Sequence, residues 1–247
     1  MLAAAWVAYR GLAAATMTYD WHWNRVWRYL GTFSHDGFSA GPMLKGLWLT
    51  IYITFLGLVC SMAFGICGAF LRLSPWPVCA FTSRLYVVIW RATPLLLQLF
   101  IAYFLLSPVL GFSPLYTAIT ALAFFEGAYF AEIFRAGILS IHKYQWEAAL
   151  SLGFSLRQTF QLVILPQATR NMLPTLSGQA ISLLKDSTLV SAIAVADLTM
   201  QSQAMVAESF LAFEVWLLAG AIYLFLALCI SLPALIWEKY KKRTISC

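Results

Sequence analysis

The sequence predicts an all-α polytopic membrane protein with five transmembrane helices, its N-terminus outside and its C-terminus cytoplasmic. Three observations lead there. Of 247 residues, 62% are hydrophobic and 11% charged, about half the charge of an ordinary soluble domain. Several apolar runs reach the roughly 20 residues that a helix needs to cross a bilayer, and they lack the alternation of a barrel strand. The basic residues also fall into alternate connections.

Residues 1–15 are apolar but broken by Arg10 and have no basic start. They make a poor secretory signal, and an over-long gene start is compatible with the same stretch. Trp21, Trp23, Trp27 and Tyr29 follow as an aromatic cluster suited to the membrane–water interface. Residues 1–42 therefore read as an extracytoplasmic segment lying on the membrane. A transmembrane domain occupies 43–240, with spans expected over about 43–71, 85–106, 115–139, 173–196 and 215–237, the fourth being less apolar. Residues 241–247 form a basic tail.

Charge orients these spans. Arg72, Arg84 and Arg91 lie between the first and second, with no acid. Arg135, Lys143, Arg157 and Arg170 lie between the third and fourth, and Lys239, Lys241, Lys242 and Arg243 follow the fifth. The connections 107–114 and 197–214 hold no lysine or arginine, and the second carries Asp197, Glu208 and Glu214. Positive residues stay cytoplasmic, so the connection around 140–170 is cytoplasmic.

Several function classes are excluded. Cys60, Cys67, Cys79, Cys229 and Cys247 show no C-x-x-C spacing and read as inert membrane thiols. His22, His35 and His142 are too scattered for metal-ligand spacing. No metal site and no catalytic residue is expected. The net charge of +6 is explained by the cytoplasmic connections and implies no nucleic acid. The aromatic residues sit mostly at span ends or on apolar faces, where lipid packing and not a cation cage accounts for them.

The most informative stretch is polar: Gln145-Trp146-Glu147-Ala148-Ala149-Leu150-Ser151-Leu152-Gly153, closing at Leu165-Pro166. Ala148, Ala149 and Gly153 offer small side chains where another surface could approach closely. Glu147 supplies a charge for an N-terminal helix position, and Pro166 is expected to break the helical run before the chain re-enters the membrane. A plain solvated connector is the alternative, but long structured connections are usually functional.

This stretch resembles the EAA loop of bacterial ABC importer permeases, E-A-A-x3-G-x9-I-x-L-P, with Val163 in the isoleucine place. Arg91-Ala92-Thr93-Pro94-Leu95-Leu96-Leu97-Gln98, Gly127-Ala128-Tyr129-Phe130-Ala131-Glu132-Ile133-Phe134-Arg135-Ala136-Gly137-Ile138 and Lys185-Asp186-Ser187-Thr188-Leu189-Val190 narrow the resemblance to the polar amino-acid branch, the glutamine, glutamate and histidine type. It covers roughly 42–240. Two positions depart from the pattern: Tyr144 stands where the family usually has glycine, and Ser187-Thr188 reverses the usual order.

The resemblance implies the type I ABC importer permease fold in the bacterial cytoplasmic (inner) membrane, multi-pass, as a permease subunit and not an enzyme. Implied partners are two ABC ATPase subunits, a second permease copy or a paralogue (a homodimer being simpler), an extracytoplasmic solute-binding protein, an amino-acid substrate and the lipid bilayer. Glu147, Ala148, Ala149, Gly153, Leu165 and Pro166 would form the ATPase-coupling element. No cofactor is expected in this chain: ATP and Mg would be bound by the ATPase subunits, since no G-x-x-x-x-G-K-[ST] occurs here.

Polar residues within the spans are the substrate-path candidates. Glu126, near the middle of the third span, should face the bundle or a watery cavity; it either contacts substrate, for instance an α-ammonium, or partners Arg91, Lys185 or backbone. A similar Phe-Glu-x-Ala-Tyr stretch in permeases for acidic amino acids means that Glu126 does not imply a cationic substrate. Arg91 and Gln98 share a helix face around Pro94, and Gln98 is a cavity donor or a helix bridge. Lys185, Asp186, Ser187 and Thr188 form a kink with a local ion pair or line the path. Glu132 and Arg135 read as an i, i+3 helix-end pair. Glutamate, aspartate or glutamine is the favoured substrate, with basic or sulfur amino acids or an amino-acid derivative next. A stand-alone secondary carrier is the rival from another class. It would tend to show inverted repeats, which are absent, and it would have no use for the Glu147 loop.

Overall fold

The computed structural model describes residues 5–7, 9–11, 19–34 and 37–245, with side chains described to residue 233. His35, Cys247, the basic side chains after residue 233 and most of 1–15 lie outside the described residues. A short helix α1 (Trp23–Val26) and a 3-10 turn (Trp27–Tyr29) lead into a hairpin of β1 (Gly31–Ser34) and β2 (Gly37–Ala40). The strands are antiparallel, with Gly31 opposite Ala40 and Ser34 opposite Gly37. The long helices follow: α2 (Pro42–Leu73), α3 (Pro77–Ala92), α4 (Leu95–Ile101), α5 (Ser107–Leu110) and α6 (Pro114–Leu139). Then come α7 (Lys143–Ser151), α8 (Leu156–Gln158), α9 (Leu165–Asp186), α10 (Leu198–Ser209) and α11 (Ala212–Ile245).

Proline punctuates this order. Pro42, Pro77 and Pro114 each sit in the first turn of α2, α3 and α6, where the missing N–H has no intrahelical use. The centre of the molecule is the packing of α2 on α6. The buried face of α2 is built from small residues, among them Gly57, Ser61, Gly65 and Gly68, which let two backbones approach closely, as helices in lipid favour. A Cβ on Gly65 would lie 2.4 Å from the Phe130 Cβ, and one on Gly127 2.8 Å from the Phe64 Cβ. Around this seam Ile53, Leu99, Leu122, Val190 and Ile193 form the main apolar cluster. Large apolar side chains such as Trp48, Phe55 and Phe225 face outward.

The second expected span is not one straight helix. The axes of Pro77–Ala92 and Leu95–Leu110 differ by 104°. Pro94 has no N–H for the carbonyl of Trp90 four residues earlier. The Gln98 amide takes its place, donating from Nε2 to Trp90 O at 2.9 Å, to Thr93 O at 3.1 Å and to Thr93 Oγ1 at 2.6 Å. Gln98→Leu leaves those carbonyls without a donor in a low-dielectric setting. It is expected to destabilise the permease by about 1–3 kcal/mol, read as a lower Tm in detergent; an unchanged Tm would show that the bend holds itself.

Other expectations are corrected. Pro166 does not break the helical run: the chain coils from Leu156 through a π-helical turn, Thr159–Ile164, directly into α9. The wider turn shifts the hydrogen-bond register just before Pro166, which enters the first turn of α9 where its lack of an N–H is harmless. The fourth helix begins earlier than expected, at Leu165, and passes at Asp186 into a 3-10 stretch, Ser187–Ile193. The 197–214 connection is mostly helix, α10, capped by Asp197, whose Oδ1 accepts from the Met200 amide at 2.8 Å. Burial pushes the Asp197 carboxyl above the usual carboxylate range, and hydrogen bonds from Met200, Thr199 and Tyr223 pull it back. Among the described residues, α2, α6 and Ala212–Pro233 of α11 are long and apolar enough to cross a membrane, and the bent pair makes a fourth.

The N-terminal aromatic cluster is docked, not loose. Trp21 stacks on Trp23 with centroids 5.8 Å apart, and Tyr19 meets Phe213 of α11 edge-on. The buried Glu214 carboxylate accepts from Tyr19 Oη at 2.6 Å and from the His22 amide at 2.8 Å. That bond pushes the Tyr19 hydroxyl up to about 12. Val26 then inserts among Met43, Leu198, Met205 and Val215.

Candidate functional site

Two features stand out from the packed bundle: a short helix at one end and a cavity leading inward beside it.

The helix is α7. His142 caps it, its Nδ1 accepting from the Tyr144 amide at 3.4 Å. Its C-terminal end is a Schellman motif: Gly153 N–H donates to Leu150 O at 3.0 Å and Phe154 N–H to Ala149 O at 3.2 Å. Gly153 has φ +86° and an added Cβ would meet nothing within 4 Å. Within this chain it supplies the left-handed turn, a conformation that a residue with a Cβ adopts only under strain. Ser155 and Gln158 then form a capping box that starts the next helical run.

Small size also serves Ala149 differently from Ala148. Ala149 is buried, whereas Ala148 and Glu147 are exposed. Trp146 anchors the inner face of α7 against Ile138, Ile164, Ala168 and Met172. The Gln167 amide ties α7 to the start of α9, donating to Gln145 Oε1 at 3.2 Å and to Val163 O at 2.9 Å. Leu165 and Pro166 open α9 and are exposed. Glu147 is the fifth residue of α7 and lies beyond the first turn, so the expected N-terminal dipole role is not available to it. Its one ion pair is with Lys143, 3.8 Å away and exposed, in the weaker Lys-before-Glu order. Leu152 and Leu156, 80% and 68% exposed, extend an apolar surface beside it. The result is a short helix whose inner face is packed on the bundle and whose outer face carries the Glu147–Lys143 pair beside Ala148 and the exposed Leu152 and Leu156.

The cavity, about 460 Å³, lies between α3, α6 and α9. Arg91, Tyr129, Glu132, Asn171, Thr175 and Gln179 supply its polar lining. The Arg91 guanidinium rests 4.8 Å over the Tyr129 ring. Glu132 and Arg135 form the expected i, i+3 pair, and Arg72 joins them with Nη1 3.9 Å from Glu132 Oε2. Behind the cavity, Glu126 is fully buried. Its Oε2 accepts from Gln179 Nε2 at 2.5 Å, the Asp186 carboxyl lies beside it, and its Oε1 has no donor. Glu126 therefore reaches the cavity through Gln179, and not through Arg91 or Lys185.

The remaining path candidates separate. Gln98 serves the helix bend. Lys185 is exposed and forms no ion pair within 4 Å among the described residues, so the expected local pair with Asp186 is replaced by the approach of Asp186 to Glu126. The Ser187 hydroxyl donates to Leu184 O and that of Thr188 to Lys185 O, both at 2.7 Å, which closes the end of α9. Sequence reasoning passed over Gln179, Asn171 and Thr175; the available signal was their spacing on one face of the least apolar span.

A bundle with several helices long and apolar enough to cross a membrane, holding a polar cavity among them, has the architecture of a membrane permease. Residues 61–242 match the model of the binding-protein-dependent transport system inner membrane component family. The chain is 36% identical over 219 residues to the glutamine transport system permease protein GlnP of Escherichia coli K12, covering 87% of this chain and 94% of that one. It is 37% identical over 214 residues to the glutamate/aspartate import permease protein GltK of Escherichia coli O6:H1, covering 83% and 94%. The crystal structure of an amino acid ABC transporter with histidines superposes with a TM-score of 0.74 at 33% identity, covering 81% of this chain and 94% of that one. The chain belongs to the family of binding-protein-dependent transport system inner membrane components, the permease subunits of ABC importers.

Proposed function

We propose that this permease imports a polar amino acid, with glutamine, glutamate or aspartate favoured, and that ATPase subunits drive it through α7. The observation that carries the reading is the two-faced α7, locked inside by Trp146 and Ala149 and open outside at Glu147 and Ala148. The names of GlnP and GltK support the substrate class. In this reading the chain crosses the bacterial inner membrane five times, N-terminus outside. The bent pair counts as one span, and α9 is admitted because its polar face lines the cavity and not lipid. Two copies pair about a two-fold axis, two ATPase subunits bind ATP and Mg, and a solute-binding protein delivers substrate from outside.

ATP-driven closure of the ATPase pair moves α7 as a rigid lever, and the bundle switches between outward and inward openings, a two-state element biased from both ends. The cavity offers a substrate the Arg91 guanidinium for a carboxylate and Gln179, Asn171 and Thr175 as amide and hydroxyl partners. Glu126→Gln keeps the volume of a buried side chain but replaces the carboxyl group that meets Gln179 and Asp186 by an amide. It is expected to lower uptake more than it lowers assembly; loss of assembly with normal uptake per assembled complex would make Glu126 a packing partner only.

The test of the whole reading is ATPase activity of the complex in proteoliposomes with its binding protein, across a panel of amino acids. Stimulation by the acidic amino acids or glutamine is the expected result. Stimulation by basic or sulfur amino acids alone would replace the substrate class, and a flat response to every amino acid would overturn amino-acid import.

A further inference from the structure

We propose that Glu126 and Asp186 form a proton-binding site, in which one proton shared between the two carboxyl groups ties α6 to α9 behind the cavity. Glu126 is fully buried in the middle of α6, and Leu122, one turn away, is buried with it. Asp186 closes α9 just after the buried Leu183 and Leu184. The Asp186 carboxyl lies close enough to Glu126 for a side-chain hydrogen bond, yet two ionised carboxylates have only acceptors to offer each other. Glu126 Oε2 already takes the Gln179 amide at 2.5 Å, and Oε1 has no donor. A buried acceptor without a donor is costly, and more so when it is charged. What the pair lacks is a hydrogen between its oxygens.

No side chain supplies the missing positive charge. On the helices around the pair, Arg72 of α2 is drawn to Glu132, Arg91 of α3 lies over Tyr129, and Tyr223 of α11 meets Thr199. Lys185 attracts Asp186 but is exposed. Among the described residues, no lysine, arginine or histidine forms an ion pair with either carboxyl within 4 Å. A metal ion does not fit in the proton's place. It would draw about six oxygen ligands, but no group of three Asp, Glu, His or Cys converges among the described residues, and Gln179 turns an N–H toward Glu126. Nor does the substrate: the cavity is lined by Gln179, and neither Glu126 nor Asp186 is part of its wall. One proton, taken from water, bonds to one carboxyl oxygen and is donated to the other. It turns like-charge repulsion into a charge-assisted hydrogen bond and leaves the pair with a single negative charge. Asp186 is only partly buried, which gives the proton a way in and out. Because α9 runs on from the helical stretch beside α7, the bond stands between the central helix and the element that the drive would reach. That consequence rests on the coupling role of α7, whereas the proton site rests on α6 and α9 alone.

The test is infrared difference spectroscopy of the full-length permease in its complex, held in lipid nanodiscs, comparing the unaltered protein with Glu126→Gln and Asp186→Asn. At neutral pH the unaltered protein is expected to show a carboxylic-acid C=O band that shifts in heavy water, fades on alkaline titration and is lost in either variant. Each variant's amide can donate its own N–H across the pair, and in Glu126→Gln the amide oxygen still accepts from Gln179. The Tm of either variant should therefore fall less than that of the unaltered protein as pH is raised. Should one variant not assemble, the other carries the comparison. Absence of the band from the unaltered protein, or its persistence in an assembled variant, would overturn the proposal. A band present in choline buffer but displaced by sodium would give the site to a metal ion and overturn it as well. The readout needs neither ATP nor substrate, so its failure is distinguishable from failure of the import reading.

Discussion

Replacing Glu147 by alanine is expected to lower ATP-driven uptake by roughly thirtyfold while leaving the permease folded. The two halves of that expectation have separate physical sources. Within the chain, Glu147 makes a single exposed ion pair with Lys143, and exposed pairs of this kind contribute about 0.5 kcal/mol or less. Ala149 and Trp146, which fix α7 to the bundle, are untouched. Across an interface, truncating one member of a desolvated charge pair costs about 2 kcal/mol or more, and each 1.4 kcal/mol is a factor of about ten. Uptake measured together with Tm separates the two. Normal uptake would remove α7 from the coupling role, and a large drop in Tm would move Glu147 into the fold.

Gly65→Val carries the largest expected effect on the fold itself. The added carbon would lie 2.4 Å from the Phe130 Cβ and 3.0 Å from its carbonyl carbon. Both belong to the middle of α6, so no flexible side-chain end can move aside. Overpacking at such a seam is expected to cost about 3 kcal/mol. The complex should then fail to accumulate in membranes, or melt well below the unaltered protein. Gly57→Ala supplies the control on the same helix, because its Cβ would meet Leu183 and Leu122 only at ordinary distances, 3.6 Å and beyond. If both variants behaved alike, close approach would not explain the glycines of α2.

These expectations rest on residues that were legible to different degrees. The E-A-A stretch was readable because its order of small, acidic and proline residues is itself the signal, and α7 stands there. The reasons for its residues were only half readable. Gly153 turned out to serve a left-handed backbone position, and Ala149 an inward face, because which side of a nine-residue helix is buried depends on the clusters it packs against. Pro94 was visible as a perturbation, but its consequence was not. A proline can kink a helix slightly or break it, and the outcome here depends on a side chain four residues on, Gln98, that replaces the lost donor.

The same division runs through the cavity. Composition and apolar run length established a helical membrane protein, because hydrocarbon solvent admits few alternatives to helices, and the positions of most helices followed. Which polar residues share a space did not follow. Gln179, Asp186 and Glu126 come together from α9 and α6, Arg91 reaches the same cavity from α3, and Glu214 collects Tyr19 and His22 across nearly the whole length of the chain. Periodicity in one segment reports which face of a helix is apolar; it carries no term for which other helix that face meets. Close packing at the glycine seam between α2 and α6 makes that choice, and only the tertiary structure contains it.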